Sequence, residues 1–457
     1  MAYASTFKAN AHWLPRNPAR MLDHVPGTDG MPVFGTTLAQ LANPFAFTRQ
    51  MVERYGPVYR INSFGGRTVQ LLGPEANELV LFDRDKVFSS EQGWGPMLNL
   101  LFPRGLMLMD FDKHRAHRKT LSVAFKPAPM RHYAEHLNHG IAARLPQWAG
   151  REIRFYAEIK KLTLDLAATS FLGIPLGPEA DRINTAFVDM VQATIGVVRF
   201  PLPFTAMRRG VAGRAFLLDY FGRQIPARRQ GTGEDMFSQL CRAEHEDGRL
   251  LSDDEIFDHL NFLMMAAHDT ITSSLTSMAW LLSRHPDWQE RLRTEIRDLG
   301  INGDSLPHDR IDEMVLTEQA MKETMRLMPP VPSLPRRAIR AFSFGGYDFP
   351  AGTFVGVSAA YTHHMAEIWP EPDRFDPMRF TPEAARTRHK YAWVPFGGGA
   401  HMCLGLHFAY LQAKIFLFHL LKDYRIEPIG TAPIEWQVWP IPRPRGGLPV
   451  RIVPLSG

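Results

Sequence analysis

The chain has 457 residues, of which 45% are hydrophobic and 22% are charged. These fractions are typical of soluble globular proteins and exclude disorder or a collagen-like repeat as an overall description. The net charge of +5 is small for this length, so it gives nucleic-acid binding no strong electrostatic footprint. Cys241 and Cys403 are the only cysteines, which argues against a disulfide scaffold and favours a reducing compartment.

The sequence gives no sign of a targeting or membrane-spanning segment. The first twenty residues lack the apolar run of a signal peptide, and no later segment has ~18 uninterrupted apolar residues. No fixed-period repeat or flexible linker divides the chain, which favours a single large domain. We therefore expect a soluble, cytoplasmic protein.

The predicted elements form a mostly helical chain with small β-sheets. Near the N-terminus, the alternating segments Pro57–Asn62 and Thr68–Gly73 predict a hairpin with Phe64–Gly66 as its turn. Further along, apolar residues three and four apart predict helices, and short segments bounded by Gly and Pro predict strands. The helices are Ile159–Leu172, Ile183–Val198, Ile256–Leu282 and Trp288–Leu299, and the strands are Thr353–Val357 and Leu448–Val453.

The longest predicted helix runs from Ser252 to His285. Ser252 is a suitable N-cap, Glu255 completes a capping box, and Pro286 marks the exit. The flanks of this helix are apolar, whereas residues 266–274 are small and polar. A polar segment in the middle of a buried helix indicates a functional requirement.

A glycine-rich stretch, Phe396–Gly405, precedes a second amphipathic helix and contains Cys403. Glycines let the backbone approach a flat ligand closely, and a thiolate near a helix N-terminus is stabilised by N–H donors and the helix dipole. The stretch taken alone is equally consistent with a buried thiolate metal ligand and with a glycine-rich turn around an inert cysteine.

At this point the sequence resembles the cytochrome P-450 monooxygenases. Their haem-binding loop has the pattern F-x-x-G-x-x-x-C-x-G, which Phe396, Gly399, Cys403 and Gly405 match. Three further motifs of the family follow its order, and the resemblance extends from Pro26 to Ile452, which implies a P-450 domain at 26–457 after an N-terminal extension at 1–25. These motifs are Ala266–Thr270, Glu323–Arg326 and Pro372–Phe375, the last of which leads into Phe375–Phe380.

The resemblance implies a fold in which haem b (iron protoporphyrin IX) lies between the long helix and the helix after the cysteine loop. It makes Cys403 the axial thiolate ligand of the haem iron, with Phe396, Gly399 and Gly405 shaping the loop. Cys241 lies in an ordinary helix-like stretch and receives no role. Electrons would come ultimately from NAD(P)H through a separate ferredoxin-type or flavin-type donor.

Asp269 and Thr270 resemble the acid–alcohol pair that handles protons beside the oxygen site of the family. The alternative is structural: Thr270 bonds the carbonyl one turn back, and Asp269 pairs with a base. Two positions depart from the usual pattern, because the family commonly has Gly where Ala267 stands and a second hydroxyl residue where Ile271 stands.

The resemblance also assigns two charged groups of residues. Glu323, Arg326 and Arg374 correspond to a buried structural triad, although by spacing alone the first two would form a solvated helix pair. The resemblance also implies that Arg and His side chains bind the anionic haem propionates. Arg337 is the alternative to Arg336. The run 113–119, which contains His114 and Arg118, could instead be a solvated helix face, where an acidic electron donor would dock. The propionate candidates are His114, Arg118, His401 and Arg336.

Positions in the family also indicate an apolar substrate pocket, although each of its residues taken singly is more typical of the core. A proline-stiffened apolar loop at Phe200–Phe204, followed by Arg208 and Arg209, could touch a membrane surface or be a packed loop. The pocket candidates are Trp94, Met97, Leu98, Leu101, Phe102, Phe262, Met265, Ala266, Val331, Leu334 and Trp439.

The function that the resemblance implies is hydroxylation of a lipophilic small molecule with dioxygen and two electrons. The chain looks closest to the branch containing sterol demethylases and retinoid hydroxylases, so we expect a steroid, terpenoid or retinoid-like substrate. The alternatives are peroxide-driven chemistry on the same scaffold, a haem-based ligand carrier or sensor, and a zinc site formed by His401, Cys403 and His407.

Overall fold

The computed structural model describes residues 13–14, 19–63, 66–196, 198–301 and 303–455, and helices dominate these residues. The helices are α1 (Thr37–Ala42), α2 (Pro44–Tyr55), α3 (Pro74–Asn77), α4 (Ser90–Leu98), α5 (Phe111–Leu121), α6 (Pro127–Trp148), α7 (Phe155–Leu172), α8 (Pro178–Thr194), α9 (Ala206–Gln230), α10 (Met236–Cys241), α11 (Asp253–Arg284), α12 (Pro286–Asp298), α13 (Val315–Leu327), α14 (Ala359–Thr362), α15 (Pro382–Ala385) and α16 (Leu406–Asp423).

The strands are short and form small sheets. They are β1 (Gly27–Thr28), β2 (Val58–Ser63), β3 (Gly66–Leu71), β4 (Phe88–Ser89), β5 (Glu152–Arg154), β6 (Leu334–Ala338), β7 (Phe342–Phe344), β8 (Tyr347–Phe349), β9 (Phe354–Val357), β10 (Tyr424–Pro428), β11 (Trp436–Gln437), β12 (Arg443–Pro444) and β13 (Pro449–Pro454). The largest sheet has the order β1-β2-β3-β9-β6-β4, and β10-β13-β5 forms a second sheet. The mostly helical fold class with small sheets is confirmed.

The predicted N-terminal hairpin is present. Strands β2 and β3 pair antiparallel, with Tyr59 opposite Gln70 and Ser63 opposite Gly66. Of the predicted turn, Phe64 and Gly65 lie outside the described residues. Because β3 also pairs with β9 and β9 with β6, this hairpin is tied to the strand that carries Arg336.

The main core is helical, with α7 packed against α11, α6 against α16 and α8 against α9. Helices α8 and α9 approach closely because Gly213 has no side chain: a Cβ there would lie 2.5 Å from the Ala186 carbonyl oxygen. Helix α8 ends at Thr194, earlier than the predicted Val198, and Gly196, a poor helix former, follows it. Among the described residues, no helix combines the length and the apolar character needed to cross a membrane.

Helix α11 begins and ends where the sequence predicts. The Ser252 hydroxyl accepts from the Glu255 N–H at 3.3 Å, the Ser252 N–H donates to the Glu255 carboxylate at 2.8 Å, and Pro286 starts the next helix. Residues 256–264 and 271–279 are all buried, whereas Ala266 between them is exposed and Thr270, one turn later, is half-buried. The polar middle of the central helix therefore faces accessible space rather than packed side chains.

Candidate active site

The cysteine loop folds back on itself before α16 starts. The Cys403 N–H donates to the Phe396 carbonyl at 2.9 Å, and Gly397 and Gly399 adopt left-handed backbone conformations that permit this reversal. A Cβ at Gly399 would lie 2.4 Å from the Leu81 carbonyl oxygen, so only glycine lets the loop pack against this segment. The loop thereby holds Cys403 just before the first turn of α16, whose N-cap is Gly405.

The two cysteines occupy different environments. Cys403 keeps accessible surface, yet burial by the surrounding protein raises the pKa of its thiol, an effect opposed by the Gly405 N–H and by Arg118. Burial raises the pKa of Cys241 to about 12, so that thiol stays protonated and unreactive. Cys403 is thus the cysteine placed to meet a ligand, and a coordinated metal ion would favour its thiolate form.

Two arginines and two histidines gather beside the cysteine loop. The rings of His114 and His401 lie 3.9 Å apart, and Arg118 donates to the Met402 carbonyl at 2.6 Å. Burial, together with the Arg118 and Arg336 charges, lowers the pKa of His114 to about 4 and of His401 to about 2. Both imidazoles are therefore neutral, and the positive charge of this cluster resides on the arginines.

Arg336 is the member that most needs an anionic partner. Its side chain is buried, and burial lowers its pKa to about 10 against the opposing charges of Asp110 and Asp83. Its Nη1 donates to the adjoining Pro335 carbonyl at 2.9 Å. Arg337 lies on the other face of β6, where it stacks over the Phe354 ring and donates to the Gly352 carbonyl. The alternation of side chains along the strand directs Arg336, not Arg337, to the histidine cluster.

These residues fit a haem group. Haem presents an iron ion, which an accessible thiol can ligate, and two anionic propionates, which buried arginines and neutral histidines can bind through hydrogen bonds. The competing zinc set does not form, because the ligand atoms of His401, Cys403 and His407 do not come within 4.8 Å of one another among the described residues.

The polar middle of α11 supplies the second group of candidate residues. The Thr270 hydroxyl donates to the Ala266 carbonyl at 2.6 Å, which leaves its oxygen lone pairs free to accept a hydrogen bond. Asp269 lies 3.4 Å from Lys160 and 3.2 Å from His268. Burial acts to raise the pKa of Asp269, but His268 and Lys160 outweigh it and hold the pKa at about 2, so the carboxylate is ionised.

The structural contacts weighed for this pair are therefore present: Thr270 bonds the carbonyl one turn back, and Asp269 pairs with a base. Lys160 on α7 has no sequence signal connecting it with Asp269, which is 109 residues away. Both side chains nevertheless keep some accessible surface, so these contacts leave them able to act on a ligand.

The structural triad needs one correction. Glu323 and Arg326 form a fully buried bidentate pair at 2.6 and 2.9 Å, and burial raises the pKa of Glu323 against the opposing effect of Arg326. The assignment of Arg374 is wrong, because its side chain is 55% exposed and pairs with Glu371 and Asp376. Arg379 approaches Glu323 instead, at 3.5 Å.

Arg379 replaces Arg374 in the triad because the chain has two Pro-x-Arg-Phe segments, Pro372–Phe375 and Pro377–Phe380. The first contains Arg374, which contributes its backbone carbonyl to Arg326 at 3.2 Å. The second, Pro377–Phe380, is a short 3-10 turn capped by Asp376, and the Asp376 N–H donates to Glu323 at 2.9 Å. This anchoring brings the second arginine, not the first, to the buried carboxylate.

The predicted pocket residues divide into two groups by burial. Those buried in the main core are Leu98, Leu101, Phe102 and Phe262, and those that keep accessible surface are Trp94, Met97, Met265, Ala266, Val331, Leu334 and Trp439. The second group therefore offers more surface to a ligand than the first.

The loop between α8 and α9 exposes its apolar side chains, with Phe200, Leu202 and Phe204 at 65%, 56% and 99%. Arg199 fastens the start of this loop by donating to the carbonyls of Thr194 at 2.5 Å and Met97 at 2.8 Å. The packed-loop alternative is therefore wrong.

A thiol held by a glycine loop, an arginine–histidine cluster suited to carboxylates and a central helix with an accessible polar middle together define a haem-thiolate protein. Comparison with known proteins places it further. The cytochrome P450 family model matches residues 25–440. The "Putative cytochrome P450 136" of Mycobacterium tuberculosis is 35% identical over 447 residues, which are 96% of this chain and 90% of that protein.

A cyanobacterial relative and a solved structure point to the same family. The "Putative cytochrome P450 120" of Synechocystis is 31% identical over 431 residues, which are 93% of this chain and 96% of that protein. The structure "Retinoic acid bound cyanobacterial CYP120A1" superposes with a TM-score of 0.87 at 31% identity, over 94% of this chain and 99% of that one. The chain therefore belongs to the cytochrome P450 family.

Membership of the family confirms the expected class of enzyme. The protein is a cytochrome P450 monooxygenase with a haem cofactor held by an axial cysteine thiolate, and it acts on lipophilic small molecules with dioxygen and electrons from NAD(P)H.

Proposed function

We propose that this enzyme hydroxylates an isoprenoid-type molecule, a steroid, terpenoid or retinoid, with electrons from a separate ferredoxin-type or flavin-type donor. The observation that carries this proposal is the glycine loop that holds the accessible thiol of Cys403 beside the Arg336 cluster. The retinoic acid bound to a relative at 31% identity supports the substrate class, as do the partly accessible apolar side chains assigned to the pocket.

In this proposal Cys403 would ligate the haem iron, and His114, Arg118, His401 and Arg336 would hold the propionates. When bound, haem supplies the activation of dioxygen, and a thiolate ligand favours O–O cleavage. Phe396, Gly399 and Gly405 keep the loop in the conformation that presents Cys403.

The proton path that we propose starts at Lys160, whose side chain is 26% exposed. Its Nζ lies against the Asp269 carboxylate, and Thr270 follows next in the chain on the accessible part of α11. Lys160 would give a proton to the Asp269 carboxylate and recover one from solvent. Because the pKa of Asp269 is about 2, the carboxylate would hold that proton only transiently before passing it towards Thr270. Thr270 Oγ1 is the final group, because its lone pairs remain available.

The electron donor that we propose approaches α5. His114, His117 and Leu121 on this helix are buried, whereas Lys113, Arg115 and Lys119 are exposed on the other face. An acidic donor surface would be attracted to this basic face.

Ligand screening followed by turnover tests the function. Retinoids, steroids and terpenes are screened for a shift of the Soret band of the oxidised holoenzyme, and the strongest binders are incubated with dioxygen, NAD(P)H and a ferredoxin-type or flavin-type reductase system. Hydroxylated product under these conditions is expected. Product only with hydrogen peroxide would establish the peroxide-driven alternative, and tight binding without product under either condition would establish the carrier.

A further inference from the structure

A cluster of histidines lies around the start of α11, outside the cysteine loop. His117 comes from α5, His245 from the segment after α10, and Glu255 and His259 from the first turns of α11. One ligand atom from each of His117, His245 and Glu255 lies within 4.8 Å of the others. The residues come from three separate parts of the chain, so their convergence is a property of the tertiary structure.

The two oxygen atoms of the Glu255 carboxylate face different groups. Its Oε2 atom completes the helix cap, accepting from Ser252 N at 2.8 Å, and also from Arg249 at 3.1 Å. Its Oε1 atom faces the histidines and lies 3.5 Å from His245 Nε2 and 3.9 Å from His117 Nε2. Since the cap uses only Oε2, the second oxygen remains available to a ligand.

Each histidine has one ring nitrogen engaged and the other directed at Oε1. His117 Nδ1 lies 2.8 Å from His259 Nε2, and His245 Nδ1 lies 3.5 Å from the Thr120 hydroxyl. Among the described residues, His245 Nε2 has no hydrogen-bond partner, although the side chain is only 9% exposed. Metal-binding histidines are typically oriented in this way, with the second ring nitrogen held by a neighbouring polar group.

We propose that His117 Nε2, His245 Nε2 and Glu255 Oε1 bind one divalent transition-metal ion of the Zn²⁺ type, with a water molecule as the fourth ligand. Ligands of a tetrahedral zinc ion lie ~3.4 Å apart at ordinary bond lengths, and the two separations between Glu255 and the imidazoles, 3.5 and 3.9 Å, are close to this. The ligand atoms of the two imidazoles lie within 4.8 Å of each other, so they would move closer together by up to ~1.4 Å. Two imidazoles and one carboxylate favour zinc over Mg²⁺ or Ca²⁺, which prefer oxygen ligands.

The surroundings admit an ion and limit its affinity. Glu255 is 19% exposed and Arg249 is 54% exposed, so an ion can reach the cluster past the arginine side chain. Arg249 neutralises part of the carboxylate charge and competes with the metal. The bound ion would tie α5 to the start of α11, and α5 also carries His114 and Arg118, so the metal acts as a structural clamp on the helix beside the cysteine loop.

Zinc titration of the haem-loaded full chain tests this site. After removal of metal with a chelator, calorimetric titration with ZnCl₂ is expected to show one tight equivalent for wild type, and MgCl₂ is expected to show none. His245→Ala removes a ligand, and Glu255→Gln removes the charge while retaining a capping side chain. Both variants are expected to bind zinc at least ~100-fold more weakly.

The matched control is His132→Ala/His136→Ala. These two histidines lie one turn apart on α6 with ring centroids 4.5 Å apart, so they could bind zinc as an ordinary surface pair. This variant is expected to keep the tight equivalent. The proposal is overturned if wild type binds no zinc tightly, if His245→Ala titrates like wild type, or if the tight equivalent disappears in the α6 control.

A second measurement separates loss of the site from loss of the fold. Zinc is expected to raise the thermal unfolding midpoint of wild type and of the α6 control but not of His245→Ala or Glu255→Gln, since an ion stabilises only a folded state that binds it. Retention of haem by each variant verifies that it is folded. An equal zinc-induced shift in all four proteins would also overturn the proposal.

Discussion

The two sides of the candidate active site carry charge in opposite ways. Beside the cysteine loop, Arg118 and Arg336 accompany two neutral histidines, and the buried Arg336 donates to a backbone carbonyl. In the middle of α11, Asp269 is a carboxylate already compensated by Lys160. The arginines beside the loop suit the binding of an anionic group. The Asp269–Lys160 pair suits a proton path, because the charge of the carboxylate is held in place by the lysine.

The largest effect is expected on the helix side, from Thr270→Ala. Product formation should fall about 10²-fold, as for other positioned proton-transfer groups, while haem binding is retained and electrons are diverted to peroxide. Measuring product and peroxide per NAD(P)H consumed tests this. Thr276→Ala is the matched control, because Thr276 makes the same 2.6 Å bond to the carbonyl one turn back but is fully buried. Equal coupling in Thr270→Ala and wild type would remove Thr270 from the mechanism.

On the loop side, Arg336→Ala should weaken haem retention by about 10- to 100-fold, since a hydrogen bond to a charged group typically contributes about 1.5–3 kcal/mol. Arg336→Lys should recover part of the loss because it restores the charge. The rate of haem transfer to an acceptor apoprotein is the measurement. If Arg337→Ala loses haem faster than Arg336→Ala, then Arg337, not Arg336, is the β6 arginine that binds a propionate.

A pH series distinguishes the compensated carboxylate from an isolated one. The folded pKa of Asp269 is about 2, below its ordinary value of 3.8, so its stabilising contribution is present above pH ~4 and is lost as the pH falls from there towards 2. Asp269→Asn should therefore cost about 2 kcal/mol in free energy of unfolding at pH 7, and the difference from wild type should narrow as the pH falls from about 4 to 2. A difference that is constant with pH would show that Asp269 is not paired as described.

The smallest effect concerns the exposed loop between α8 and α9, which we propose touches a lipid surface through Phe200, Leu202 and Phe204. Phe204→Ser should reduce co-sedimentation with acidic phospholipid vesicles a few-fold, and Leu176→Ser, at another exposed apolar position, should not. Equal binding by wild type and Phe204→Ser would leave this loop without a membrane role.

Local patterns account for what the sequence predicts well. The capping box of α11, the β2–β3 hairpin and the cysteine loop depend on residues close together in the chain, and each is found in the structure. Periodicity predicts where helices lie, because burial of one face imposes it. The end of α8 is misplaced because apolar residues continue beyond the helix, into a loop that exposes them.

Contacts between distant segments account for what the sequence does not predict. Arg374 and Arg379 both stand in Pro-x-Arg-Phe segments, and only the capped turn at Asp376 determines which arginine reaches Glu323. The partnership of Asp269 with Lys160 depends on the packing of α7 against α11. The His117–His245–Glu255 cluster is likewise not predictable from the sequence, because a run of charged and histidine residues does not indicate which side chains face the protein interior.

The absorption difference spectrum of the dithionite-reduced protein with and without carbon monoxide reports whether the Cys403 thiolate ligates the haem iron. Wild type and Cys241→Ser are expected to show the strongly red-shifted Soret band of thiolate ligation, and Cys403→Ser is expected to lose it. A band typical of imidazole ligation in wild type, or an unaltered band in Cys403→Ser, would contradict the assignment.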